Sequence, residues 1–171
     1  MFAGSLRANI VLGSDQPSAA AIGRAVRVAQ LQDLVAQLPS GLDSLLGPQG
    51  IRLSGGERQR LAVARLVLRQ PQVCVLDEAT SMLDGRTESL VLSALREALP
   101  DRTLISIAHR LGSVVACDRV HVMDRGRIVE SGTHTALLAR GGLYAQLWAA
   151  QHRDRRSETP LPLIDPAAQP S

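Results

Sequence analysis

The chain has 171 residues, 45% of them hydrophobic, which suits one globular domain with its own core and is too short for two. Its 19 basic residues are all arginine, so no segment of it can be the G-x-x-x-x-G-K-[ST] loop whose lysine reaches the β- and γ-phosphates of a nucleotide. The charge of +3 is scattered without a run of about five or six like charges, and one Phe, one Tyr and one Trp make no base-stacking platform, so nucleic acid is not an expected partner.

In chain order, Ser18 to Leu38 places Ile22, Ala25, Val26, Ala29, Leu31, Leu34 and Val35 at helical spacing, as one broken helix or two short ones. Pro39-Ser40-Gly41 ends it, and a glycine-rich stretch from Gly47 to Gly56 follows. Glu57 to Arg69 is a helix by its 3.6-residue rhythm, closed by Pro71. Val73 to Leu76 is a short apolar run, expected to be a strand covered on both faces of a parallel sheet. Asp84 to Leu99 then predicts a crossover helix and Thr103 to Ile107 the next strand, together a βαβ unit. Arg119 to Met123 and Arg127 to Glu130 flank Asp124-Arg125-Gly126 at hairpin spacing. Helices follow from Gly132-Thr133 to Leu138 and, after Gly141-Gly142, through Ala150. From His152 to Ser171 the composition predicts a disordered tail.

Cys74 and Cys117 sit in apolar surroundings without CxxC spacing, as expected of buried free thiols in a reducing compartment. No run of about 18 apolar residues predicts a membrane span.

Three places could carry chemistry. Ser54 with Glu57 fits a capping box at a helix start, while Gly55 and Gly56 would let a ligand approach amides that favour a phosphate. Asp77 and Glu78 follow the apolar run directly and so fall at the carboxyl end of a strand, where open α/β sheets bind ligands. One carboxylate there can hold Mg²⁺ while its neighbour polarises a water. His109, two residues after the next strand, belongs to the same edge of the sheet, whereas His121, His134 and His152 are expected to be structural or exposed.

Leu53 to Arg60 (LSGGERQR), Val73 to Asp84 (VCVLDEATSMLD) and Ile107 to Arg110 (IAHR), in this order and spacing, resemble the signature, the Walker B motif with its D-loop, and the H-loop of ABC ATPases. The resemblance runs from Phe2–Ile10, similar to the stretch after the Q-loop in exporters, to Gly132-Thr133-His134 and Gly141–Tyr144. It implies an α/β fold, an incomplete P-loop NTPase domain with a helical subdomain at about 10–70 and a sheet remnant with C-terminal helices at 72–151. The implied cofactors are ATP and Mg²⁺. Asp77 would help hold the metal, Glu78 would be the general base, and His109 would contact the γ-phosphate. Ser54, Gly55 and Gly56 would complete the site on the P-loop of an opposing nucleotide-binding domain, identical or not, and Asp84 would link the two sites.

The implied partners are that second domain and the transmembrane domains of an exporter, at the cytoplasmic face of the cell membrane. Ser44 to Gly50 (SLLGPQG) lacks the acidic residue of the exporter loop that touches the transmembrane domains. The P-loop, the adenine-stacking aromatic residue and the Q-loop glutamine would lie upstream of Met1, so the chain alone is expected to be inert. A non-enzymatic remnant or a mis-called gene start is the rival reading; a DNA-repair ATPase would carry heptad coiled coils, which are absent. In the family resembled, the strand leading into the P-loop lies between the strands at 103–107 and 119–123, which implies that these two do not pair directly.

Overall fold

The computed structural model describes residues 2–47, 50–77, 79–108 and 110–157, in two compact units, one up to His109 and one from Arg110 on. Each is built from local signals that the sequence carries openly.

In the first unit Ser5 caps α1 (Leu6–Val11), its Oγ accepting the Ala8 amide at 3.0 Å, and Ser18 caps α2 (Ala19–Val28) in the same way. The expected Ser18–Leu38 helix is two helices: Gln30 adopts φ +53° and breaks α2 from α3 (Gln32–Gln37). Two strands of two residues each, β1 (Gly4–Ser5) and β2 (Leu45–Leu46), pair antiparallel beside α1, an element without any sequence periodicity. The long helix α4 (Gly55–Arg69) packs against α1 and α2, burying Leu61, Val63, Ala64 and Val67. Its arginines serve that contact. Arg65 Nε donates to Asn9 O at 2.6 Å and Nη2 to Asn9 Oδ1 at 3.0 Å, while Arg69 Nη2 donates to Leu12 O at 3.0 Å, so two side chains one turn apart satisfy carbonyls at the end of α1. Burial, with Arg69 nearby, holds the Arg65 guanidinium below its ordinary pKa.

The βαβ unit is present. β3 (Val73–Asp77) and β4 (Thr103–Ile107) pair parallel in the register Val73↔Thr103 to Asp77↔Ile107, joined by α5 (Gly85–Ala98). The strand is not covered on both faces, however. Cys74 and Leu76 join the core with Val91 and Leu95, but Val73 and Val75 are 54% and 61% exposed, and Ile105, opposite Val75, and Ile107, opposite Asp77, are 48% and 50% exposed. A continuous apolar run cannot report which of two faces is covered, because both read the same in sequence.

In the second unit β5 (Val120–Asp124) and β6 (Arg127–Gly132) form the expected hairpin. The turn is Arg125-Gly126, both at positive φ, as a two-residue primed turn requires. Thr133 caps α6 (His134–Arg140), and Gly141 ends it in the left-handed conformation. α7 (Leu143–Ser157) runs past Ala150, where the sequence pattern ends it, and past His152, where the tail was expected to begin. Stacking explains part of that extension: Trp148 lies 4.5 Å from the ring of His134 and 4.1 Å from that of His152, whose Nδ1 is 2.9 Å from Trp148 O. The rest of the predicted tail, 158–171, lies outside the described residues. Cys74 is buried and Cys117 only half-buried, and neither forms a disulfide among the described residues.

Among the described residues the strands form three two-stranded sheets, β1 with β2, β3 with β4 and β5 with β6. No helix among the described residues is long and apolar enough to cross a membrane.

Candidate functional site

The start of α4 is a complete capping box. Ser54 Oγ accepts from the Glu57 amide at 3.2 Å, and Glu57 Oε2 accepts from the Ser54 amide at 2.7 Å. Arg58 Nη1 closes over the entry by donating to Leu53 O at 2.7 Å. The structural role foreseen for Ser54 is therefore realised in full, and the Glu57 carboxylate is engaged in it.

The two glycines have a partner within the chain. A Cβ on Gly55 would run into the Met82 thioether, and one on Gly56 would come within 3.2 Å of both Met82 O and Leu83 Cδ2. The segment from Ala79 to Asp84 thus lies directly against the amide end of α4. Gln59 ties the two together: Nε2 donates to Ser81 Oγ at 2.9 Å, and Oε1 accepts from the Met82 amide at 3.0 Å. At its other side Thr80 Oγ1 donates to Oε1 of the buried Glu88 at 2.9 Å, and the Leu83 amide donates to Thr80 O at 3.0 Å, so the segment is a hydrogen-bonded turn between α4 and α5.

Asp84 ends that turn as the N-cap of α5, its Oδ1 accepting from the amides of Arg86 and Thr87 at 3.0 Å each. The Thr87 hydroxyl and these amides hold the Asp84 carboxyl below the usual carboxylate range. Asp77 is exposed at the carboxyl end of β3, opposite Ile107. Glu78 and His109 lie outside the described residues. Of the predicted site residues the structure therefore brings Ser54, Gly55 and Gly56 against the loop that ends in Asp84, and puts Asp77 on the strand end. Gln59 and Glu88, which hold this arrangement, were not singled out from sequence: a glutamine and a glutamate inside helices read as surface residues until their partners are seen.

The residues fit one face of a nucleotide and not a whole cradle. The amide end of α4 favours a phosphate, the side chain nearest Gly55 is the flexible one of Met82, and Asp77 offers an accessible carboxylate. Against this, there is no lysine in the sequence, and no group of three or more His, Cys, Asp or Glu among the described residues could hold a metal.

Residues 7–81 match the model of the ABC transporter family. The chain is 49% identical over 158 residues to an ATP-dependent lipid A-core flippase of Xanthomonas campestris pv. campestris, covering 92% of the chain and 27% of that protein. It is 51% identical over 156 residues to a protein of the same description from Xylella fastidiosa, covering 91% of the chain and 26% of that protein. Among solved structures, a bacterial Atm1-family ABC exporter with ATP bound superposes with a TM-score of 0.79 at 44% identity, over 88% of this chain and 26% of the exporter. The chain thus spans about a quarter of the length of these relatives. The fold is the expected one, α/β and an incomplete P-loop NTPase domain of the ABC type.

Proposed function

This chain belongs to the ABC transporters and carries part of an exporter-type nucleotide-binding domain, and from that premise we propose that it supplies the signature half of a nucleotide site whose phosphate-binding half lies on a second nucleotide-binding domain. The observation that carries this reading is the amide end of α4, capped by Ser54, begun by Gly55 and Gly56 and packed on the loop that ends in Asp84. In the assembled site Ser54, Gly55 and Gly56 would meet the γ-phosphate of ATP held by the partner. Asp77 would hold Mg²⁺ and Glu78 would accept the proton of the attacking water. His109 would contact the γ-phosphate, and Asp84 would link the two sites across the interface. ATP supplies the phosphoanhydride bond whose hydrolysis drives transport. The transmembrane domains and a place at the cytoplasmic face of the membrane belong to the whole exporter.

Phosphoryl transfer is mostly positioning and charge stabilisation, so half a site is inert. Titration calorimetry of the chain with Mg²⁺ and ATP is expected to give no stoichiometric binding at micromolar concentrations; micromolar one-to-one binding would overturn the half-site. Joined to a P-loop-bearing N-terminal portion of an ABC nucleotide-binding domain, the chain is expected to hydrolyse ATP. Glu78→Gln should then cost about 100-fold or more in turnover while nucleotide binding persists. A small change in kcat would make Glu78 structural.

A further inference from the structure

We propose that Gln59 is a positioning residue that latches the Ser81–Leu83 segment to the amide end of α4, so that helix end and loop meet a docking phosphate as one surface. The functional meaning rests on the half-site reading above, whereas the latch is a property of the chain alone.

Gly55 and Gln59 are four residues apart on α4 and share a face, the face that the loop covers. A carboxamide offers a donor and an acceptor at fixed separation, and Gln59 uses both, on Ser81 Oγ and on the Met82 amide. The glycines complete the seam from the helix side: with a Cβ at Gly56 the loop backbone at Met82 O and the Leu83 side chain would have to shift. On its far side the same loop is anchored through Thr80 to the buried Glu88 of α5, and it passes directly into Asp84. A push on the end of α4 is therefore carried through Gln59 to the loop that bears Asp84. The latch also explains the glycine pair without a ligand, since both positions are crowded by the chain's own loop.

The test is amide hydrogen exchange by NMR on the chain itself. Gln59→Ala is expected to speed exchange of the Met82 amide at least about tenfold, while the amides of Leu61 to Val67 in α4 change by less than about twofold. In Gln59→Glu a carboxylate oxygen still accepts from the Met82 amide, and the Ser81 hydroxyl turns to donate, so protection at Met82 is retained. Unchanged exchange at Met82 in Gln59→Ala overturns the latch, and so does an equal rise along α4, which would make Gln59 a support of the helix. Neither result bears on whether the chain binds nucleotide, and the calorimetric result does not bear on the latch.

Discussion

Replacing Val75 and Ile105 together by threonine should strip the chain of much of its apolar surface while leaving its fold in place. The two residues face each other across the β3–β4 register and stand with Val73 and Ile107 on the uncovered side of the sheet. Fully burying a valine or isoleucine is worth about 1.5–3 kcal/mol. With each of the four about half exposed, about 3–6 kcal/mol of burial is left unrealised on this face, enough to bind an apolar probe. Threonine keeps the β-branched shape that suits a strand, so the backbone preference is preserved. The wild-type chain should raise 1-anilinonaphthalene-8-sulfonate (ANS) fluorescence strongly, and the double variant should lose about half or more of that signal. Its midpoint in urea should move by less than about 1 kcal/mol equivalent, because these side chains give up little packing. Unchanged ANS fluorescence would refute the reasoning. So would loss of helical and strand signal in the variant, since that is how a strand buried on both faces responds to hydroxyls stripped of water.

Asn9 is buried, and its side chain bonds Phe2 N, Phe2 O, Ser5 O and Arg65 Nη2. Asn9→Ala leaves the guanidinium short of a partner and should cost about 2–4 kcal/mol, with Arg65→Ala partly masking the loss in a double-mutant cycle; a cost below about 0.5 kcal/mol would show that water takes over these bonds. The Asp84 carboxyl lies below its ordinary pKa, so its contribution to stability is fully present above the unfolded value near pH 4 and is lost as pH falls through the folded value. Asp84→Asn keeps a capping side chain and should flatten the acid limb of a stability-against-pH curve, and an unaltered limb would assign the acid sensitivity elsewhere.

What could be read from the sequence was local. The rhythm of Leu61 to Val67, the capping box at Ser54, the helix starts at Asp84 and Gly132-Thr133 and the turn before Arg127 are each decided within a few residues, and the structure has them close to where the pattern puts them. What depended on distant partners was hidden. The pairing of Gly4-Ser5 with Leu45-Leu46 is too short for periodicity, and nothing near Asn9 shows that Arg65 will reach it from 56 residues away. The glycines of the signature segment read as room for a ligand, yet the first atoms to use that room are those of Met82 and Leu83. The catalytic assignments of Glu78 and His109 stand on motif and spacing, whereas Ser54 and Asp84 have visible duties as caps.

The start of α7 depends on the hairpin before it. Its first amides, those of Leu143 and Tyr144, donate to the two oxygens of Glu130, a side chain of β6, and Gly142 leaves the space that this carboxylate fills. A helix whose cap comes from within its own first turn can nucleate alone, but this one borrows its cap from a strand 13 residues earlier. α7 therefore gains its terminal support only when β6 lies against its first turn, and Glu130→Ala should fray that end of the helix.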